Sequence, residues 1–160
     1  MFASFCNAAN TEKACNIKPA ELSAKKWLQR PTGVGVYDEE HFFSTNMKKE
    51  HVMLLASGVQ YKVLREGCGK TPSLTSTVKV RYHMTLLNGK VIDSSYKDKE
   101  SPSFPLSDVI PGWSDALTHM QPGAIWEIAI PSRLAYGSLG SGPVPANAAL
   151  LFTVELVDFY

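Results

Sequence analysis

From Val59 to the C-terminus, apolar residues recur at every second position in short runs separated by Gly and Pro turns. A period of two belongs to half-buried strands and conflicts with the period of an amphipathic helix, so this stretch is committed to sheet. Val59–Leu64 alternates and ends in the turn Gly67-Cys68-Gly69. Thr77–Met84 alternates with Val78, Val80, Tyr82 and Met84 on one face. Asn88-Gly89 is a strong hairpin turn, returning the chain through Lys90–Asp93. Ser103–Leu106 is short and edge-like, because Pro105 cannot donate to a ladder. Ile125–Ile130 and Leu150–Phe159 complete the set. The one helix-like segment here, Pro111–Met120, is barely two turns long and is stopped by Pro122-Gly123. The pattern predicts an α+β domain, an antiparallel sheet of about five strands wrapped over one short α-helix.

Residues 1–57 read differently. Ala20, Ala24, Trp27 and Leu28 recur at helical spacing ahead of Pro31. Asp38 reads as an N-cap, with Glu39 and Glu40 in the first turn of a second helix that carries Phe43 and Met47 and runs to about His51. The first fifteen residues show no periodicity and are expected to be loose. The expected division is a partly helical extension over 1–57 and the sheet domain over 58–160.

Charge and targeting signals narrow the field further. Sixteen Lys/Arg stand against fifteen Asp/Glu, seven against six before residue 58 and nine against nine after it. Neither part offers the strongly basic balance that points to nucleic acid or an anionic membrane, so neither is expected as a partner. The long uncharged run Leu134–Val154 is broken by Gly137, Gly140, Gly142, Pro143 and Pro145, which excludes a spanning helix. MFASFCNAANTEK lacks the basic start and apolar stretch of a secretory leader, which favours a cytoplasmic location over a secreted one. Cys6, Cys15 and Cys68 are odd in number and contain no C-x-x-C pair. They read as three free thiols, with a Cys6–Cys15 bridge as the alternative.

Conventional catalytic patterns fail on inspection. Gly67-Cys68-Gly69-Lys70-Thr71 resembles the end of a phosphate loop, but Leu64 stands where the first glycine is required and Pro72 follows instead of a helix. Gly137, Gly140 and Gly142 miss the dinucleotide spacing. His41, His51, His83 and His119 are scattered with no zinc-ligand spacing, so no metal is expected. No nucleophile elbow is present, and Cys68 has no evident activating base.

What remains is a supply of aromatics on separate elements: Tyr82, Phe104, Trp113, Tyr136 and Phe152. Core packing accounts for any one of them. Asp93, however, closes a hairpin strand within an apolar pattern, where an acid is costly unless bonded. Tyr136 sits in Ala-Tyr-Gly beside a Gly/Pro loop, where a core aromatic is less expected.

Five blocks carry a resemblance: Val80-Arg-Tyr-His, Asn88-Gly-Lys-Val-Ile-Asp93-Ser-Ser, Val109-Ile-Pro-Gly-Trp113, Pro131-Ser-Arg-Leu-Ala-Tyr136-Gly, and Val144-Pro-Ala-Asn-Ala-Ala-Leu-Leu-Phe152-Thr-Val-Glu-Leu. Together residues 58–160 resemble an FKBP domain, the macrolide-binding class of peptidyl-prolyl cis-trans isomerase. Ile125-Trp126-Glu-Ile and the junction from Lys48 to Val63 are similar to the macrophage infectivity potentiator branch.

The resemblance implies a pocket with Trp113 as floor and Tyr82, Phe104, Val109, Ile110, Tyr136 and Phe152 as walls. Asp93 would be its polar group, Tyr136 and the Ile110 backbone would bond ligand carbonyls, and Val144 would lie in the loop over the mouth. Of these, Tyr82, Asp93, Tyr136 and Phe152 are assigned to catalysis, and Phe104, Val109, Ile110, Trp113 and Val144 to substrate binding. The implied partners are X-Pro peptides, unfolded proteins, and macrolides such as tacrolimus and rapamycin. No cofactor is expected. Two departures, Pro102 in place of a bulky wall residue and a short 137–145 loop, keep open a non-catalytic binding or chaperone module.

Overall fold

The computed structural model describes residues 38–98 and 101–160. The helix expected around Ala20–Leu28 lies outside them. The described residues form seven strands: β1 (Met53–Leu54), β2 (Gln60–Arg65), β3 (Thr77–Leu86), β4 (Val91–Ser94), β5 (Ser103–Pro105), β6 (Ile125–Ile130) and β7 (Leu150–Phe159). Two helices accompany them, α1 (Glu39–Asn46) and α2 (Pro111–Leu117). All strands join one antiparallel sheet in the order β1-β2-β6-β7-β3-β4, with β5 paired to β3. Every stretch expected to be a strand is one. The addition is β1, too short to show a period, which pairs Met53 with Tyr61.

Alternation decides which face is covered. Val78, Val80 and Met84 on β3, Trp126, Ile128 and Ile130 on β6, and Leu150, Phe152, Val154 and Leu156 on β7 form one buried cluster with Trp113, Ala116 and Leu117 of α2. The sheet therefore curves over α2, and apolar burial on this face is the main source of stability. Pro111 opens α2 at a position where its missing N–H costs nothing. Gly112 follows because the helix lies directly on β6: a Cβ there would collide with Ile130. The turn at Asn88-Gly89 forms as expected, with Gly89 at φ 84° and Lys90 N–H donating to Asn88 Oδ1 at 2.9 Å.

The opposite face is also buried in part. Gln60, Ile125, Ala129, Leu151, Thr153 and Glu155 are buried. Glu155, paired across the sheet with Arg81 and Ile125, accepts from Arg65 at 2.8 Å and lies 3.6 Å from the Arg81 guanidinium. Two cations thus compensate the buried acid. Gln60 is satisfied by α1: its amide donates to the Phe43 carbonyl and accepts from Asn46, both at 2.9 Å. Glu39 accepts from Ser132 N–H at 3.0 Å, so α1 is held at both ends. Asp38 caps α1 as expected, accepting from Glu40 N–H at 3.0 Å. The helix stops at Asn46, short of His51, because the chain turns back toward β1 and His51 adopts φ 64°.

Candidate functional site

The site is assembled by register. Tyr82 in β3 faces Val154 in β7, Phe152 faces Met84 two positions along, and Phe104 in β5 lies opposite Val78. All of these strands present their inward side chains to α2, whose third residue is Trp113. The result is an aromatic ring set around one indole. Trp113 packs edge-on to Tyr82 at 5.4 Å and to Phe104 at 5.8 Å between ring centroids, and tilted against Phe152 at 5.4 Å. Tyr82 and Phe104 close the circuit at 6.1 Å. Trp113 and Phe152 are buried, whereas Tyr82 and Phe104 are partly open. Edge-to-face contacts of this kind fix ring orientation as well as adding attraction.

One polar pair sits beside the rings. Tyr82 Oη donates to Asp93 Oδ2 at 2.5 Å, within the range of an O–H to carboxylate bond. Asp93 Oδ1 accepts from Ser94 N–H at 2.8 Å. Burial, followed by the bond to Asp93, the charge of Asp93 and the proximity of Tyr136, pushes the Tyr82 hydroxyl well above its ordinary pKa. It therefore remains a donor across the physiological range. Asp93 itself is exposed rather than a buried acid, and it lies opposite Met84 on β3, from where its side chain reaches diagonally to Tyr82.

Three donors have no acceptor among the described residues. The Ile110 N–H makes no backbone bond, although the Ile110 carbonyl accepts from Trp113 and Ser114. The Tyr136 hydroxyl is likewise unpaired, and Tyr136 is 37% exposed. The Trp113 indole N–H is buried without a partner. Of the three, the buried Trp113 N–H carries a desolvation cost, whereas Tyr136 is open to solvent.

Val109 and Ile110 are half-buried against the core, immediately before α2. Val144 is only 4% exposed and belongs to the core cluster, while its backbone pairs with Ser141 through two 2.9 Å bonds. It anchors the 137–145 loop. Pro102 continues the strand edge, its carbonyl accepting from Val80 N–H at 3.0 Å. Sequence reasoning overlooked Ser95, whose buried Oγ accepts from Tyr82 N–H at 2.9 Å and locks the backbone beneath that ring. No periodic signal marks such a residue. Among the described residues, no group of three or more His, Cys, Asp or Glu is arranged for a metal.

The sequence profile described as FKBP-type peptidyl-prolyl cis-trans isomerase matches residues 68–157. The chain belongs to this family. Among FKBP-type relatives, peptidyl-prolyl cis-trans isomerase Mip of Coxiella burnetii is 50% identical over 118 residues, covering 73% of this chain and 51% of its own. Outer membrane protein MIP of Legionella longbeachae is 42% identical over 119 residues, with 73% and 51% covered. The crystal structure of a peptidyl-prolyl cis-trans isomerase from Pseudomonas syringae pv. tomato superposes at TM-score 0.71 with 35% identity, covering 76% of this chain and 90% of that one. The resemblance to the potentiator branch is thus upheld. The chain spans about half the length of the curated relatives it matches.

Two expectations are overturned here. Cys68 of this FKBP-type chain is disulfide-bonded, so the three cysteines are not all free, nor is Cys68 left out of a bridge. The cytoplasmic location fails as well. One relative is named an outer membrane protein, and a disulfide persists in oxidising compartments but is rare in a reducing cytosol. No helix among the described residues is long and apolar enough to cross a membrane.

Proposed function

We propose that this chain accelerates cis–trans isomerisation of X-Pro bonds in peptides and folding proteins, with residues 58–160 as the catalytic domain and 1–57 as an extension to it. The observation that carries this reading is the aromatic set around Trp113 flanked by the unpaired Ile110 N–H and Tyr136 hydroxyl. A prolyl ring fills a space bounded by Trp113, Phe104, Val109 and Phe152, while the two donors meet carbonyls of the bound chain. Val144 keeps the loop at the mouth in place.

The physics suits such a pocket. An X-Pro bond turns over a barrier of about 18–20 kcal/mol because the twisted state loses amide resonance. The planar ground state is the more polarised and the better hydrated. Stripping water from its carbonyl against Phe152 and Tyr82 raises the ground state relative to the twisted one. Tyr82, oriented by Asp93, and Tyr136 then bind the twisted form in preference, which lowers the barrier. Each step uses side chains alone.

Macrolides of the tacrolimus and rapamycin type fit the same reading, since they would occupy the proline space and bond Ile110 and Tyr136. An oxidising envelope compartment is supported by the Cys68 disulfide and by the relative named an outer membrane protein. The test is exchange spectroscopy on an X-Pro peptide with and without excess rapamycin. Catalysed exchange suppressed by the macrolide is expected. Exchange at the uncatalysed rate refutes the enzymatic reading, and normal peptide affinity without acceleration would leave a binding module.

A further inference from the structure

Val109 does not face the aromatic pocket alone. It also lines a groove of about 660 Å³, bounded by Pro72 and Leu74 from the β2–β3 connection, by Pro111 and Asp115 from α2, and by Thr118 at the C-terminal end of that helix. Leu74 is 63% exposed there. Its position is not a matter of a loose loop. Ser73 N–H donates to Ser76 Oγ at 3.1 Å, Ser76 N–H returns to the Ser73 carbonyl at 3.0 Å, and Thr75 Oγ1 bonds Ser73 Oγ at 2.9 Å. The turn thus holds an apolar side chain in water. Single exposed leucines are ordinary on protein surfaces. This one is contiguous with Val109, Pro111 and buried Pro72, which makes a patch, and apolar patches of that kind mark contact surfaces.

Continuity identifies the occupant. Pro111 follows Ile110 directly, so a chain bonded to the Ile110 N–H runs onto the groove within one or two residues. We propose that the groove holds the client polypeptide flanking the isomerised X-Pro bond, with an apolar client side chain over Leu74. The inference rests on the isomerase reading of the neighbouring pocket. It adds a second determinant of selection, independent of the proline: an apolar residue nearby, as unfolded chains expose. Among the described residues Asp115 is the one charged side chain lining the groove, and its carboxylate already accepts from Ser57 Oγ, so an acidic client residue is disfavoured there.

The experiment compares kcat/KM on a tetrapeptide containing one X-Pro bond with that on two longer peptides. These carry the same bond and an added Leu-containing flank, on the N-terminal side in one and the C-terminal side in the other. Covering about half of a leucine side chain is worth roughly fivefold in affinity. One longer peptide should gain about that factor over the tetrapeptide, and Leu74→Asp and Leu74→Ala should abolish the gain while leaving tetrapeptide turnover unchanged. Replacing the flanking Leu by Glu should abolish it too. Equal kcat/KM on all three peptides, or a gain that survives Leu74→Asp, overturns the groove. Absence of turnover on the tetrapeptide with wild-type protein is instead a failure of the isomerase reading. In that event amide shifts decide the groove: movement of Leu74 and Thr118 signals on adding a longer peptide, but not the tetrapeptide, supports it, and unmoved signals overturn it.

Discussion

The Tyr82–Asp93 bond is the polar contact on which the site's geometry depends, and a double-mutant cycle measures it. Tyr82→Phe removes one hydroxyl and keeps the ring contacts to Trp113 at 5.4 Å and Phe104 at 6.1 Å. A hydrogen bond to a charged group is worth about 1.5–3 kcal/mol when sheltered. Asp93 is exposed and Tyr82 half-buried, so solvent screening reduces the pair to about 1 kcal/mol. Urea denaturation of wild type, Tyr82→Phe, Asp93→Ala and the double variant should therefore give a coupling energy near ~1 kcal/mol. Alkaline titration supplies a second reading with a definite sign. Burial, then Asp93, holds the folded-state hydroxyl above its ordinary pKa, so above about pH 10 the unfolded chain binds fewer protons than the folded one. The stability from this group is complete below pH 10 and declines as pH rises toward the folded-state value. The gap between wild type and Tyr82→Phe should accordingly narrow above pH 10, other tyrosines and lysines cancelling in the difference. Coupling below about 0.3 kcal/mol, the level of additivity, together with a gap that does not change with pH, would refute the reasoning.

Gly112→Ala should cost about 1–3 kcal/mol, because the added methyl meets Ile130 and displaces α2. It should also lower isomerase kcat/KM, since Trp113 is the next residue; full stability with full activity would show that α2 can shift freely. Gln60→Leu should release α1, with a loss of about 2 kcal/mol for two bonds, read as faster amide exchange at Phe43 and Asn46 than in β7. Glu155→Ala leaves two half-buried guanidiniums facing an apolar gap and should destabilise by about 2–3 kcal/mol, checked by thermal unfolding. Because Cys68 is bridged, denatured, unreduced protein should titrate fewer thiols than the three of reduced protein. Three thiols without reductant would refute the bridge.

Legibility followed the range of the interaction. Strands β3, β6 and β7 were readable because a half-buried strand writes its own period, and the Asn88-Gly89 turn because only a few residue types accept its backbone angles. The site residues were readable as a family pattern, but not from chemistry, since an aromatic that builds a pocket and one that fills a core look alike along the chain. Asp93 illustrates the gap: its apolar surroundings in sequence read as those of an acid too costly to bury, yet it is exposed, and what makes it notable is Tyr82, diagonally across on β3, which no local rule supplies. The same reasoning explains the cysteines and α1. Whether Cys68 pairs cannot be read from its own turn, and whether α1 docks depends on Gln60, a polar residue whose burial is intelligible only once Asn46 and the Phe43 carbonyl are beside it. A buried amide in the middle of a sheet face is a weak signal in one dimension and a strong one in three, because its two bonds then require a particular partner at a particular height. In this chain those second-face polar residues, Gln60 and Glu155, tie α1, β2, β3 and β7 together behind the pocket. Those ties hold in register the strands whose other face sets the ring angles around Trp113.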